Sequence, residues 1–358
     1  MHQGKPPLCP DCDVTDDAGL DRRAFLRTVR TAATTAAVGG ATLWAVPRAV
    51  AAPTPNSAAE TAVKYLYENL TDAQKKVICF DWDYKHPQRG ILRTHVSNFW
   101  AITKPTLTSQ FYTKEQQALL LDIFKGVFNP DWHARMMKQL KDDHGGQPWG
   151  AALSCAIFGQ PGTGQFEFVM TGRHMTIRAD GDSTAHVALG GPIFHGHAPK
   201  GYTEKVHHPD NIFWHQAELA NKVYTILNGK QQAQALVEKL PPEIAVGFQS
   251  ATAKPTGLPC SEMSRDQRDA VQTVLMSLIA PYRKEDRDEV LECLKKQGGL
   301  DKCTLTFYKE GDIGNDGEWD NWRLEGPAFV WYFRGYPHVH IWINVADDPT
   351  LPINSKSF

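Results

Sequence analysis

Near the C-terminus, Pro337-His338-Val339-His340-Ile341-Trp342-Ile343-Asn344-Val345 alternates histidine with apolar residues in a β-branched, aromatic run. That period of two is a strand signature, and residues i and i+2 of a strand share a face. His338 and His340 therefore present two imidazoles side by side. Imidazole is a common ligand for zinc, copper and iron, and most bound metals need three or more protein ligands. A second His-x-His pair, His195-Gly196-His197, lies upstream, and His174 follows a Gly172-Arg173 turn. Together these five histidines are the candidate metal ligands: His174, His338 and His340 as the core, His195 and His197 as auxiliary ligands or a surrounding shell. A ligand set of imidazoles fits copper or zinc, and iron less well, rather than calcium or magnesium. The competing reading is that the histidines cap strands and bond backbone carbonyls.

Other chemistry is sparser. Asp81-Trp82-Asp83 puts two carboxylates on one face of a short strand, suited to general-base or ligand roles, or to an ordinary solvated turn. Arg89 could grip a substrate carboxylate bidentately or pair with one of these aspartates. His207-His208 and Glu325 are further candidates of lower rank. The chain contains no His-Glu-x-x-His, no Gly-x-Ser-x-Gly and no phosphate-loop or dinucleotide glycine pattern. The Gly159-to-Gly164 stretch, with its proline and flanking strands, reads as a hairpin loop.

The elements that must position these groups follow from the periodicity. Helices are expected over residues 59–70, 113–128, 131–141, 214–227, 231–240, 265–282 and 284–296. Strands are expected over 77–83, 151–158, 166–170, 174–179, 185–189, 192–195, 303–308, 319–324, 328–333 and 338–345. The order helices, sheet, helices, sheet gives an α+β class, with helical hairpins alternating with antiparallel sheets. Lys114-Glu115-Gln116-Gln117-Ala118 and Arg265-Asp266-Gln267-Arg268-Asp269-Ala270 begin their helices alike, which hints at two similar halves.

Residues 1–20 form a polar leader. Asp21-Arg22-Arg23-Ala24-Phe25-Leu26-Arg27, a mild Ala/Thr/Gly run and a closing Ala49-Val50-Ala51 then read as a twin-arginine export signal over 21–51. The alternative, an N-terminal membrane anchor, is weakened by the threonines, glycines and Pro47 of that run, which is short of the ~20 apolar residues a span needs. A linker over 52–58 leads to one domain over 59–358. The expected location is the periplasm or cell envelope, with no stable membrane insertion once the signal is cleaved. A net charge of −2 and the absence of a polybasic run give no basis for nucleic-acid binding. Of the seven cysteines, Cys9-x-x-Cys12 lacks a second pair at metal spacing, Cys79 and Cys155 read as core thiols, and Cys293 and Cys303 could pair in an oxidising compartment.

A set of landmarks in order carries a resemblance. They are Arg89-Gly90-Ile91, the Glu115-to-Leu120 helix, Ala156-Ile157-Phe158-Gly159 and Gly172-Arg173-His174-Met175-Thr176-Ile177. Then follow Gly191-Pro192-Ile193-Phe194-His195-Gly196-His197-Ala198-Pro199, the helix from Gln267 to Leu278, Leu324-Glu325-Gly326-Pro327 and His338-Val339-His340. Over roughly residues 60–350 the chain resembles the domain-of-unknown-function family 3500. His174, His338 and His340 match the family pattern. Arg173 stands where the family has histidine, and His195 and His197 depart from it. The resemblance implies a fold unit without implying a reaction.

Two functions are carried forward from the sequence. The first is an exported, histidine-ligated metal enzyme acting on a small molecule or peptide, with redox chemistry slightly favoured over hydrolysis. The second is a non-enzymatic exported protein that binds a small molecule or peptide.

Overall fold

A computed structural model of the chain describes residues 52–198, 210–248, 256–352 and 354–355. The segments expected as leader and export signal, Cys9, Cys12, His207 and His208 lie outside the described residues.

Four of the described helix starts are set by reciprocal side-chain caps. Helix α1 (Ala58–Asn69) is followed by α2 (Asp72–Ile78), where Thr71 and Gln74 form a capping box. That box turns Val77 and Ile78 helical and leaves only β1 (Cys79–Phe80) of the strand expected over 77–83. Short pairs follow, β2 (Lys85–His86) with β3 (Gly90–Ile91), and β4 (His95–Val96) with the C-terminal strand Asn354–Ser355. Helix α3 (Lys114–Val127) begins in a second box, Thr113 with Gln116, and α4 (His133–Asp143) follows it. Strands β5 (Leu153–Gly159), β6 (Phe166–Gly172), β7 (Met175–Ala179) and β8 (Ile193–His197) then form a meander. Of residues 185–189, expected as a strand, only Val187 pairs, in an isolated bridge to Ala346; a turn precedes it and a 3-10 turn over Ala188–Gly190 follows, with Leu189 at φ 62°.

The same order recurs downstream. Helix α5 (Trp214–Thr225) precedes α6 (Gly229–Ala235), capped by Asn228 with Gln231. β9 (Leu236–Val237) and β10 (Leu258–Pro259) lead to α7 (Arg265–Ile279), capped by Ser264 with Gln267, and then α8 (Lys284–Lys296). Strands β11 (Thr304–Tyr308), β12 (Asn321–Gly326), β13 (Phe329–Arg334) and β14 (Val339–Val345) close the chain's sheet. The capping glutamines pair across each half: Gln74 with Gln116, and Gln231 with Gln267. β1 pairs with β5 in parallel, as β9 does with β11.

The two strand blocks form one sheet rather than two. β8 and β14 pair antiparallel, with Ile341 opposite His195, giving the order β1-β5-β6-β7-β8-β14-β13-β12-β11-β10. One face packs on the helices, with Val339, Ile341 and Ile343 in that core. The other face is covered by chain segments instead. Phe194, Tyr332 and Trp342 pack there with Val96 and Val246, while Trp100 and Ile102 cover β5 and β6. All five described cysteines, Cys293 and Cys303 included, are free thiols.

Candidate metal centre

The three core histidines meet at one end of this sheet. His174 is the second residue of the two-residue turn joining β6 to β7, where Gly172 pairs with Met175. Its φ is +56°, the left-handed region that a side chain usually avoids and glycine accepts. His338 immediately precedes β14 and His340 is its second residue. Nε2 of His174 lies 3.0 Å from Nε2 of His338 and 3.1 Å from Nε2 of His340. All three residues are buried, and the group can offer three ligand atoms to one metal ion.

Carboxylates hold the outer nitrogens. Nδ1 of His340 is 2.7 Å from Glu243 Oε1. Nδ1 of His174 is 2.9 Å from Asp143 Oδ1, a charge contact off the line of a hydrogen bond. The Glu243 carboxylate favours a proton on Nδ1 of His340, and partners of this kind orient ligating imidazoles. The converging Nε2 atoms of His174 and His340 are 3.1 Å apart. Nitrogens sharing a tetrahedral zinc at about 2.0–2.1 Å are about 3.4 Å apart, so a small opening of the rings suffices.

The supporting groups are themselves anchored. Asp143, the last residue of α4, accepts from Gln139 Nε2 at 2.7 Å and from the Ala198 amide at 2.9 Å. Burial pushes its carboxyl above the usual range, opposed by those hydrogen bonds. Glu243 also accepts from Trp342 Nε1 at 3.1 Å and Asn98 Nδ2 at 3.3 Å, with Arg334 at 3.5 Å. Burial opposes its ionisation, but the His340 hydrogen bond and the His340 and Arg334 charges hold it down at about 2. Burial first, then the His340 and Arg173 charges, lowers the pKa of His174 and keeps it neutral, the ligand form. Gly196 is the spacer. A Cβ there would meet the Val339 carbonyl and lie 3.2 and 3.3 Å from Cδ2 of His340 and His174.

The auxiliary histidines turn the other way. His195 lies on the helical face, with Nδ1 3.1 Å from the Tyr282 hydroxyl and its ring against Phe213. Burial drops its pKa to about 3. His197 Nε2 is 3.1 Å from Asp142 Oδ2, and its Nδ1 accepts from the Ile212 amide. Neither joins the three-histidine group. Asp81, Asp83 and Arg89 are placed apart from it in their contacts. Asp83 is exposed and 3.8 Å from Arg93, and Arg89 sits over Trp100 and donates to the Ala101 carbonyl. Asp81 lines a cavity of about 470 Å³ with Tyr67, Cys79, Phe80, Trp82 and Tyr84. Glu325 contacts Arg323 at 3.4 Å.

Asp143 and Glu243 are the contributors that no spacing in the sequence announces. Glu243 follows Pro241-Pro242, and its partner His340 is 97 residues away. Gly196 is legible in the sequence as the small residue between two histidines that allows close approach, though its neighbours across the strand are not.

The fold and the cluster define an α+β protein with a buried three-histidine site braced by two carboxylates. A family model described as a protein of unknown function (DUF3500) matches residues 53–342, most of the chain, and the chain belongs to that family. No curated protein and no solved structure matches it.

Proposed function

We propose that His174, His338 and His340 bind a transition metal, copper or zinc before iron, and that the protein is an exported metal-dependent enzyme. The observation that carries this reading is the convergence of three buried imidazole Nε2 atoms, with Glu243 bonded to the outer nitrogen of His340 and Asp143 beside that of His174. A strand-capping role does not call for three imidazoles aimed at one point.

The recurrence of elements offers an internal control. The β12–β13 hairpin also has a two-residue turn, Pro327-Ala328, between Gly326 and Phe329. Ala328 stands where the first hairpin has His174, and its φ is not among the positive ones. Gln297, just past α8, accepts from the Ala328 amide at 2.6 Å, whereas the His174 amide donates to the Asn98 carbonyl at 3.0 Å. The turn is thus closed in the second instance without histidine, without a buried carboxylate and without left-handed strain. An observed backbone outlier of this kind costs of order 1–3 kcal/mol and supports a functional reading of His174.

Within enzyme chemistry, oxidation–reduction is favoured over hydrolysis. Asp143 and Glu243 are both committed to ring nitrogens, so neither is free to act as general base on a metal-bound water. Phe194 stands 5.3 Å from the His340 ring and 6.4 Å from that of His174, making a partly apolar surround. Export rests on the Arg22-Arg23 pattern, and lysine at both positions is expected to retain the precursor in the cytoplasm by fractionation. The substrate would be a small molecule or peptide.

Elemental analysis of the purified protein beside His338→Ala/His340→Ala tests the centre. About one copper or zinc per wild-type chain, lost in the double variant, is expected. A metal-free wild type that shows no thermal shift with either ion would overturn the reading and leave a non-enzymatic binding protein.

A further inference from the structure

We infer that the ligand of this centre is a small anion with a flat apolar body, an aryl carboxylate or its like, gripped by Arg173 and Phe99. This rests on the metal reading above and deepens it.

The turn that carries His174 also carries Arg173, which is half-buried. Among the described residues Arg173 has no ion-pair partner. The other guanidinium beside the cluster, Arg334, lies opposite His340 across the β13–β14 pair and is 3.5 Å from Glu243, so its charge is already met. Asp143 feels the Arg173 charge but spends its oxygens on His174, Gln139 and Ala198. A guanidinium with no ion pair among the described residues, beside three imidazoles, becomes more exposed electrostatically once they hold a dication. A carboxylate fits that fork bidentately and could reach the metal as well.

The apolar half comes from Phe99. It pairs with Arg173 through an isolated antiparallel bridge, and the adjacent Asn98 carbonyl accepts from the His174 amide at 3.0 Å. Phe99 is nonetheless 63% exposed, and Tyr336, two residues before His338, is 42% exposed. The other exposed large apolar side chains (Tyr65, Val77, Ile226 and Met276) adjoin no ligand-bearing segment. Exposed aromatic faces beside both ligand-bearing segments are costly in water and useful against a planar ligand. The corresponding turn in the other hairpin, Pro327-Ala328, offers neither charge nor aromatic ring.

The test uses cobalt(II)-loaded protein, whose visible spectrum reports on the ligands, titrated with benzoate, acetate and benzyl alcohol. Metal content is measured in every sample. Benzoate is expected to shift the spectrum at roughly tenfold lower concentration than acetate, and benzyl alcohol to leave it unchanged. Arg173→Gln should weaken benzoate and acetate alike by about tenfold or more, with partial recovery in Arg173→Lys. Phe99→Ala should bring benzoate down to acetate, with cobalt still bound. Cobalt bound at full occupancy, with benzoate acting equally on wild type, Arg173→Gln and Phe99→Ala, overturns this inference and leaves the metal centre standing. Failure of cobalt, copper and zinc alike to bind overturns both.

Discussion

His174 and His340 face each other with Nε2 atoms 3.1 Å apart while their Nδ1 atoms point outward to Asp143 and Glu243. The outer nitrogens face carboxylates on two other segments, the end of α4 and the stretch after Pro242. Removing a ligand should therefore affect metal binding more than folding. In His174→Gly the left-handed φ of +56° becomes free of strain. Metal should be lost, while stability of the metal-free protein should fall by less than about 1 kcal/mol, because glycine adopts φ > 0 readily. Urea unfolding with chelator present, beside elemental analysis, measures both. A large loss of metal-free stability would make His174 structural.

Glu243 orients His340 without being a ligand. Glu243→Gln keeps the shape but removes the charge that fixes the His340 tautomer. Partners of this kind are worth about 10–100-fold in metal affinity, and competition with a chromogenic chelator should show a loss of that size. Full retention of affinity would show that the carboxylate serves Trp342 and Asn98 instead.

Gly196 separates the rings from the neighbouring strand. Gly196→Ala would drive a methyl group into the Val339 carbonyl and against His340 and His174. Overpacking of this kind costs about 1–3 kcal/mol. Thermal unfolding and metal content should fall together, because one displacement moves both β14 and the ligands.

A pH effect independent of the metal comes from Glu289. It is buried, its Oε2 accepts from the Leu189 amide, and burial with the Asp286 and Asp180 charges pushes its pKa up to about 9. A carboxyl with a raised folded pKa holds a proton that the unfolded chain releases. Its contribution is fully present below about 4.3 and is lost as pH rises towards 9. Glu289→Gln keeps the acceptor for Leu189 and should flatten stability between those limits, gaining about 1–3 kcal/mol at the alkaline end. Denaturant unfolding at a series of pH values measures it. An unchanged slope would place the dependence on Asp180 or Asp286.

The capping glutamines provide a control away from the site. Gln116 accepts from the Thr113 amide and donates to Asn69 O and Gln74 Oε1. Gln116→Ala should destabilise the fold by about 1–2 kcal/mol with metal content unchanged. Loss of metal in this variant would tie α3 to the centre.

The sequence by itself determined the helices and most strands, because capping pairs such as Thr113 with Gln116 and the period of two around His340 are local signals. It also singled out His174, His338 and His340. It did not determine that both strand blocks join in one sheet, since the β8–β14 pairing depends on which edges meet in space. Nor did spacing separate these three histidines from His195 and His197. On β8 a residue opposite Ile341 faces the helices, so register assigns the two sets to opposite faces. Asp143 and Glu243 were invisible for the same reason. Each reaches its histidine from a distant part of the chain, and only tertiary packing brings the carboxylates to the outer nitrogens and the inner nitrogens to one point.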